Sequence, residues 1–379
     1  MFSLYENVKS TLYNLAGYED KLYDLNYEWF DDVLEYIPKN IQRICAQNII
    51  DNALTSTINE FCGKLDNKKL LISLSGGVDS MVLITILAWF EYDIVAAHIN
   101  YNNRPESVRE QIFLEEWCHY NNIKLYVKSI EDIKRNNVKR SDYEAITKQI
   151  RLEFYKEIIE KENINYVLLA HHKDDIIENI FANICRGRNI LDLAVIREHA
   201  NISNINFARP MLPYYKSVIY EFAEKYQVPY FKDTTPDWSI RGKYRNVISP
   251  AIEDAFTQST KENLMYMSDQ ADQWNSLIEK QIIKPFLENV KYTYSEQETT
   301  VQFNIQKYAD YPIAFWSVIL MNIFNNLGHK SPSRKAIETF SNTIKYKINS
   351  TNPKYAIALG NCRCVVCNNN LTIYFTNTK

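Results

Sequence analysis

The chain has 379 residues, 46% of them hydrophobic and 23% charged, which implies two or three domains and excludes a chain disordered throughout. A net charge of −3 by itself argues against a generic nucleic-acid binder, but the charge is uneven: residues 1–66 carry −6 and residues 67–379 carry +3. Residues 124–151 hold eight basic and four acidic side chains, a local face that suits phosphate contacts or a solvated helix surface.

Residues 1–41 are aromatic-rich and acidic and read as an N-terminal extension. Residues 46–62 carry a helical stripe (Ile49, Ile50, Ala53, Leu54, Ile58, Phe61), with Gly63 where a helix C-terminus wants it. The period then changes. Lys69–Leu74 is a short apolar run that reads as a buried strand, Gly76 and Gly77 follow, and Met81–Trp89 is helix-like. Ile94–Ile99, Leu125–Val127 and Tyr166–Ala170 read as further strands. Helices are expected over about 105–120 and 142–162, and from near Asp174. Strands alternating with such helices predict an α/β fold with a doubly wound parallel sheet. Ligands bind such sheets outside the strand C-terminal ends. Ser75–Ser80, His98–Arg104 and His171–Glu178 all fall there. From about 254 to 348 the pattern is mostly helical, and Tyr355–Leu359 and Leu371–Phe375 form a short β-like tail. The expected organisation is an extension over 1–41, an α/β domain over 42–255 and a smaller, mostly helical domain over 256–379.

Seven scattered cysteines, an odd number, argue against a disulfide framework and for a reducing, cytoplasmic setting. No N-terminal segment reads as a signal peptide. Met81–Phe90 is about half as long as a membrane span requires, so no membrane association is expected. Cys364 and Cys367 form a CxxC beside Cys362, but no second close pair completes a four-ligand zinc site, and the strand-like setting points to structure. Cys45, Cys62, Cys118 and Cys185 sit singly on helical patterns and are expected in the core.

Ser75-Gly76-Gly77-Val78-Asp79-Ser80 carries the strongest chemical signal. Its glycines let the backbone approach a ligand, and the helix that follows aims its positive end at the same place. Ser75 and Ser80 add hydroxyl donors; Asp79 would repel phosphate and suits a magnesium ion. The Gly-Lys-Ser/Thr of γ-phosphate transfer is absent. A plain strand-to-helix turn is the bland alternative. The second signal is His171-His172-Lys173-Asp174-Asp175-Ile176-Ile177-Glu178. Carboxylates there complement a helix N-terminus, and Asp175 and Glu178, three apart, share a face.

SGGVDS after a strand resembles the pyrophosphate loop of the N-type ATP pyrophosphatases, the PP-loop superfamily. His171–Glu178 resembles the HHxDDxxE block of its tRNA(Ile)-lysidine synthetases. The likeness continues in order through Tyr143-Glu144-Ala145 with Arg151, Arg186-Gly187, Arg209-Pro210-Met211-Leu212, Asp233, and Arg245-Asn246, and covers roughly residues 45–379. The sequence departs from the family at Tyr101, which replaces the second histidine of HxNHxxR, at Pro236, and at Ser249.

The resemblance implies an ATP- and magnesium-dependent ligase that forms a carbon–nitrogen bond. It would adenylate the wobble cytidine of an isoleucine tRNA with a CAU-type anticodon and ligate free L-lysine, releasing AMP and pyrophosphate. It implies ATP contacts at Ser75, Gly76, Gly77, Val78, Asp79, Ser80, His98 and Arg186, and substrate or tRNA contacts at Arg104, Arg151, Asp233, Arg245 and Asn246. Asp79 and Asp175 are the metal candidates, with Glu178 beside them in the catalytic set. Lysine's amine has a pKa of about 10.4, so freeing it at pH 7 costs roughly 4.6 kcal/mol and calls for a base or desolvation. His171, Glu144 and Asp233 are the candidates. Two alternatives stand beside this reading: a related PP-loop tRNA thiolase, which needs cysteines near the loop, and a non-catalytic RNA-binding remnant. An oligomer is compatible with all three.

Overall fold

The computed structural model describes residues 52–66, 69–102, 106–130, 140–193, 195–231, 239–256, 259–348, 354–360 and 362–376. They form two compact units: one reaches to Asn183 and resumes over Ala194–Met265, the other comprises Ile184–Leu193 and Tyr266–Lys379.

The first unit opens with helix α1 (Ala53–Gly63), capped by Asn52, whose side chain accepts the Leu54 N–H. Leu54, Ile58 and Cys62, spaced by four, bury one stripe. Gly63 is the last helical residue, and Lys64 closes the helix in a right-handed conformation. Strand β1 (Lys69–Ser73) is apolar on both faces because helices cover both. Leu70 and Ile72 face a core with α1 and α2 (Val78–Trp89), while Leu71 faces Phe154, Tyr155 and Ile158 of α4 (Arg140–Glu162). Helix α2 buries nearly every residue from Val78 to Leu87, which explains its unbroken apolar run.

Strand β2 (Asp93–Asn100), helix α3 (Glu106–Tyr120) and strand β3 (Lys124–Ser129) extend the sheet on one side of β1. Strand β4 (Tyr166–Leu168), followed by helix α5 (Lys173–Cys185), pairs with β1 on the other. The order β3-β2-β1-β4-β6-β5 therefore reverses direction between β1 and β4. Loops leaving adjacent strands diverge at such a switch point and open a crevice.

Among the described residues the sheet has six strands where the sequence pattern shows four. Strand β6 (Ile205–Ala208) runs parallel to β4, and β5 (His199–Ile202) pairs antiparallel at the edge. They form a tight hairpin through Ser203 and Asn204, both at positive φ. A Ser-Asn turn lacks the glycine that announces such a hairpin. Helix α6 (Lys216–Tyr226) follows, and α7 (Ile240–Lys243), a π-helical stretch Tyr244–Ile248 and α8 (Ser249–Phe256) run on continuously. Helix α9 (Thr260–Ile278) begins in the first unit and ends in the second.

The stretch over 254–348 is mostly helical, and it also contains two strands that the sequence pattern did not show. After helix α10 (Lys284–Glu288), strands β7 (Lys291–Tyr294) and β8 (Glu298–Asn304) lie within it. They join β9 (Lys354–Leu359), β10 (Cys362–Cys367) and β11 (Asn370–Thr376) in a five-stranded antiparallel sheet ordered β7-β8-β11-β10-β9. Val301 and Phe303 alternate inward from β8 and meet Leu371, Ile373 and Phe375 of β11. Helices α11 (Ile313–Asn326) and α12 (Arg334–Lys347) cover that face with Trp316, Ile319, Leu320, Phe340 and Ile344. Cys62, Cys118 and Cys364 are buried; Cys185, expected in the core, is exposed because α5 ends there, past its buried stripe. Among the described residues no helix is long and apolar enough to cross a membrane. The N-terminal extension, Cys45, Arg104, Asp233 and Pro236 lie outside the described residues.

Candidate active site

The turn after β1 is closed by its own serines. Ser80 Oγ lies 3.0 Å from Ser75 Oγ, accepts the Ser75 N–H at 3.2 Å and donates to the Gly77 carbonyl at 3.0 Å. Gly77 donates its N–H to Ser75 Oγ at 3.3 Å. Gly76 takes φ +85°, and a Cβ there would come within 3.2 Å of the Phe231 ring. Phe231 in turn donates its N–H to the Gly76 carbonyl at 2.9 Å. The turn is thus rigid, with the N-terminus of α2 behind it and Asp79 in the first helical turn.

His98, on β2, is buried and hydrogen-bonds through Nδ1 to the Leu74 carbonyl at 2.9 Å, so it braces the approach to this turn. Burial pushes its ring below the usual imidazole range, against the Leu74 bond. On the opposite sheet face, Tyr155 hydrogen-bonds Ser73 at 2.7 Å, and Arg151 lies close enough to Tyr155 to act on it electrostatically. Glu144 and Arg151 occupy the exposed side of α4.

The segment after β4 meets the turn across the switch point. His172, 1% exposed, sits among three carboxylates: its Nε2 is 3.6 Å from Asp79 Oδ1 and 3.5 Å from Asp175 Oδ2, and its Nδ1 is 3.6 Å from Asp174 Oδ2. Asp79 Oδ1 is buried with no hydrogen-bond partner among the described residues. Burial raises the Asp79 carboxyl above its ordinary range, opposed by Lys216 and His172. The same burial acts on Asp175, but there His172, His171, the His172 N–H and Arg241 outweigh it and hold the group low.

Asp175 and Glu178 do share a helix face, and arginines already occupy it. Arg245 places Nη2 3.1 Å from Asp175 Oδ1 and Nε 3.1 Å from Glu178 Oε2. Arg241, one turn earlier, places Nε 2.9 Å from Glu178 Oε1. The π-helical stretch that begins at Tyr244 aims Arg245; such interruptions recur at functional sites. With the His172 N–H 3.1 Å from its Oδ2, Asp175 has both oxygens engaged.

His171 is bound by Arg209, which donates Nε–H to His171 Nδ1 at 3.0 Å. An arginine N–H can only donate, so Nδ1 is the bare nitrogen and Nε2 carries the ring proton. Burial, opposed by Asp175 and reinforced by Arg209, Arg241 and His172, lowers the ring to about 4. Near neutral pH the ring is therefore neutral, with Nε2–H as a hydrogen-bond donor.

The turn, Asp79, His171, Asp175, Glu178 and Arg245 therefore come together, with His98 bracing them. Arg186 follows α5 in the second unit, exposed, and Asn246 is exposed in the π-helical stretch. Sequence reasoning missed four members. His172 stood in the recognised block; Lys216 follows Arg209-Pro210-Met211-Leu212 closely; Arg241 lies one helical turn before Arg245; Lys261 pairs with Asp174 and Glu253 at 3.5 and 3.1 Å. Helical spacing would have found Arg241; no local signal marks Lys261.

A family model described as a PP-loop domain matches residues 50–252. The chain is 30% identical over 210 residues to the tRNA(Ile)-lysidine synthase of Enterococcus faecalis, covering 54% of this chain and 45% of that protein. It is 36% identical over 179 residues to the tRNA(Ile)-lysidine synthase of Mycoplasmopsis pulmonis, covering 46% and 60%. It is 27% identical over 250 residues to that of Chlamydia felis, covering 65% and 76%. The matched stretch spans about half the length of the first two relatives. The chain belongs to the PP-loop ATP-binding family, and the three relatives named above carry the name tRNA(Ile)-lysidine synthase.

Proposed function

We propose that this protein is an ATP-dependent tRNA-modifying ligase of the lysidine-forming kind. It would adenylate the C2 oxygen of a wobble cytidine in an isoleucine tRNA, release pyrophosphate, and let the ε-amine of free lysine displace AMP. The observation that carries the reading is Asp79: a carboxylate at the N-terminus of α2, behind a closed glycine turn, with a buried oxygen that accepts no hydrogen bond among the described residues.

Magnesium fits through that oxygen, because an ion held by substrate phosphates and waters needs only one or two carboxylates. Asp175 fits less directly, since Arg245 and the His172 N–H hold both its oxygens. When bound, the ion neutralises charge on the departing pyrophosphate. Arg245 and Arg241 would meet phosphate only by giving up their pairing with Asp175 and Glu178. His171 supplies Nε2–H to an oxygen that gains charge. That leaves Glu144 and Asp233 as candidates for receiving the lysine proton, with Arg104, Arg151, Arg186, Asn246 and the second unit toward the tRNA.

Thiolation finds less support. Cys62 and Cys118, the described cysteines of the first unit, lie in the core with thiols pushed up to about 12 by burial. A non-catalytic remnant would have no use for a buried, unpartnered Asp79 oxygen. Mass spectrometry of isoleucine tRNA incubated with the protein, ATP and labelled lysine tests the proposal. The expected result is a labelled cytidine and one AMP per lysine; sulfur transfer, or an unmodified tRNA, refutes it.

A further inference from the structure

Lys261 stands where helix formation alone would not put a cation. It is the second residue of α9, and the positive end of a helix disfavours an ammonium there. Its side chain, 32% exposed, is nevertheless held on two sides. Nζ lies 3.1 Å from Glu253 Oε1 of α8 and 3.5 Å from Asp174 Oδ1 of α5. One turn on, Leu264 and Met265 pack on Ile176, Ile180 and Leu212, which fixes the backbone that carries the lysine.

Both arms of this contact end at the same pair of elements. Asp174 precedes Asp175 in the first turn of α5, and its second oxygen accepts the Lys216 N–H at 2.8 Å, so the carboxylate is fixed from the far side as well. Glu253 Oε1 also accepts the Ser249 hydroxyl at 2.9 Å, and Ser249 hydrogen-bonds Tyr244, the residue before Arg245. Lys261 therefore joins α5, which carries Asp175 and Glu178, to the Tyr244–Phe256 run, which carries Arg245. Across that seam the Arg245 guanidinium meets both carboxylates at 3.1 Å. An ammonium shared by two carboxylates, each already held by a second donor, is ordered in a way that an isolated surface pair is not.

We infer that Lys261 is a positioning residue of the active site: its ammonium clamps α5 to α8 and so keeps Arg245 seated on Asp175 and Glu178. It acts through Arg245 and not on a substrate. The planar fork of an arginine is useful only where it is aimed, and a misplacement of about 1 Å from a remote change can cost on the order of a hundredfold in rate. The expected effect on turnover rests on the ATP-dependent reading above; the effect on Arg245 rests on geometry alone.

Two readouts on the full chain test it, for wild type, Lys261→Met, Lys261→Arg and Glu253→Gln. The first is hydrogen exchange of the Arg245 Nε–H, which donates to Glu178 Oε2, followed by NMR and assigned through Arg245→Lys. Lys261→Met should speed this exchange at least tenfold, and Lys261→Arg should stay within threefold of wild type. The Arg209 Nε–H, bound to His171, is the internal control and should not change. The second readout is AMP formation with ATP, lysine and isoleucine tRNA. Lys261→Met should lower kcat at least tenfold with KM for ATP within twofold, and arginine should restore most of the loss. Unchanged Arg245 exchange in Lys261→Met, equal acceleration at Arg209, or a loss of kcat that arginine does not restore overturns the inference. If Lys261→Met does not fold, Glu253→Gln decides, because it keeps an acceptor for Ser249 and removes the ion pair; wild-type exchange and kcat in that variant overturn the clamp. A wild type that forms no AMP, with the exchange result as expected, would refute the ATP-dependent reading and leave the clamp standing.

Discussion

Arg209 donates its Nε–H to Nδ1 of His171 across 3.0 Å, bridging residues 38 apart in sequence. Arg209 is held by its Nη1 on the Arg197 carbonyl at 2.7 Å and by its own N–H on the Glu198 carbonyl. The arginine therefore dictates the imidazole tautomer. The His171 ring should titrate near 4, against an ordinary 6.5. Because the folded-state value is the lower one, the unfolded chain takes up this proton first as pH falls. Stability should thus be lost between about 6.5 and 4, on the order of 3 kcal/mol from this ring. Arg209→Gln removes one cause of the depression and should raise the ring's titration point, read by NMR of the His171 ring protons. A wild-type midpoint near 6.5 would contradict this account.

Asp79→Asn should reduce AMP formation by a hundredfold or more, since it removes the carboxylate that suits magnesium. The fold should survive, because Asp79 Oδ1 makes no hydrogen bond among the described residues that the substitution would break. Circular dichroism with product analysis separates the two effects. AMP and pyrophosphate are the expected nucleotide products; ADP would show cleavage at the wrong bond.

Gly76→Ala should damage the turn itself. A side chain at φ +85° is strained, and its Cβ would press on Phe231 at 3.2 Å. A cost of roughly 1–3 kcal/mol follows, with loss of ATP affinity larger than the loss of stability alone explains. Thermal unfolding and ATP titration on the same sample would reveal the difference. Undiminished ATP affinity would mean that the turn does not hold the nucleotide.

Cys364 and Cys367 should prove dispensable for metal. Side chains three apart on a strand point to opposite faces. Accordingly Cys364 is buried, its thiol pushed up to about 12 by burial with a smaller effect of Cys362, while Cys367 is exposed. A Cys364→Ala/Cys367→Ser protein should keep activity, and elemental analysis of the wild type should find no stoichiometric zinc. Alanine is the better probe at 364, because a serine hydroxyl buried there without a partner costs about 1–3 kcal/mol.

The second unit should carry part of the tRNA affinity. Lys345 and Lys347 stand in the last turn of α12 with exposed side chains. If each meets a phosphate, Lys345→Ala/Lys347→Ala should lower the slope of log affinity against log salt by roughly 1.5–2. Point variants are preferable to a chain ending near 255. That cut would delete Lys261, which pairs with Asp174 and Glu253, and Leu264 and Met265, which pack on Ile176, Ile180 and Leu212. An unchanged slope would assign the grip to the first unit.

The sequence by itself determined the chemistry-bearing turn and its companions. Periodicity marks β1, β2, β3 and β4 with their helices, because buried parallel strands must be apolar on both faces. The glycines and Asp79 are legible because the turn needs them locally. The β5–β6 hairpin and strands β7 and β8 escaped, their turns and short alternations being weak signals beside helical neighbours. Only the tertiary structure decided what each charged group does. Strand order brings β1 beside β4, which places Asp79 against His172, and β6 beside β4, which with the Lys216 N–H on Asp174 places Lys216 against Asp79. It also sets the tautomer of His171, through an arginine 38 residues away. A side chain's partners across such separations leave no local pattern, because what selects them is the path of the backbone and the desolvation of the crevice it encloses.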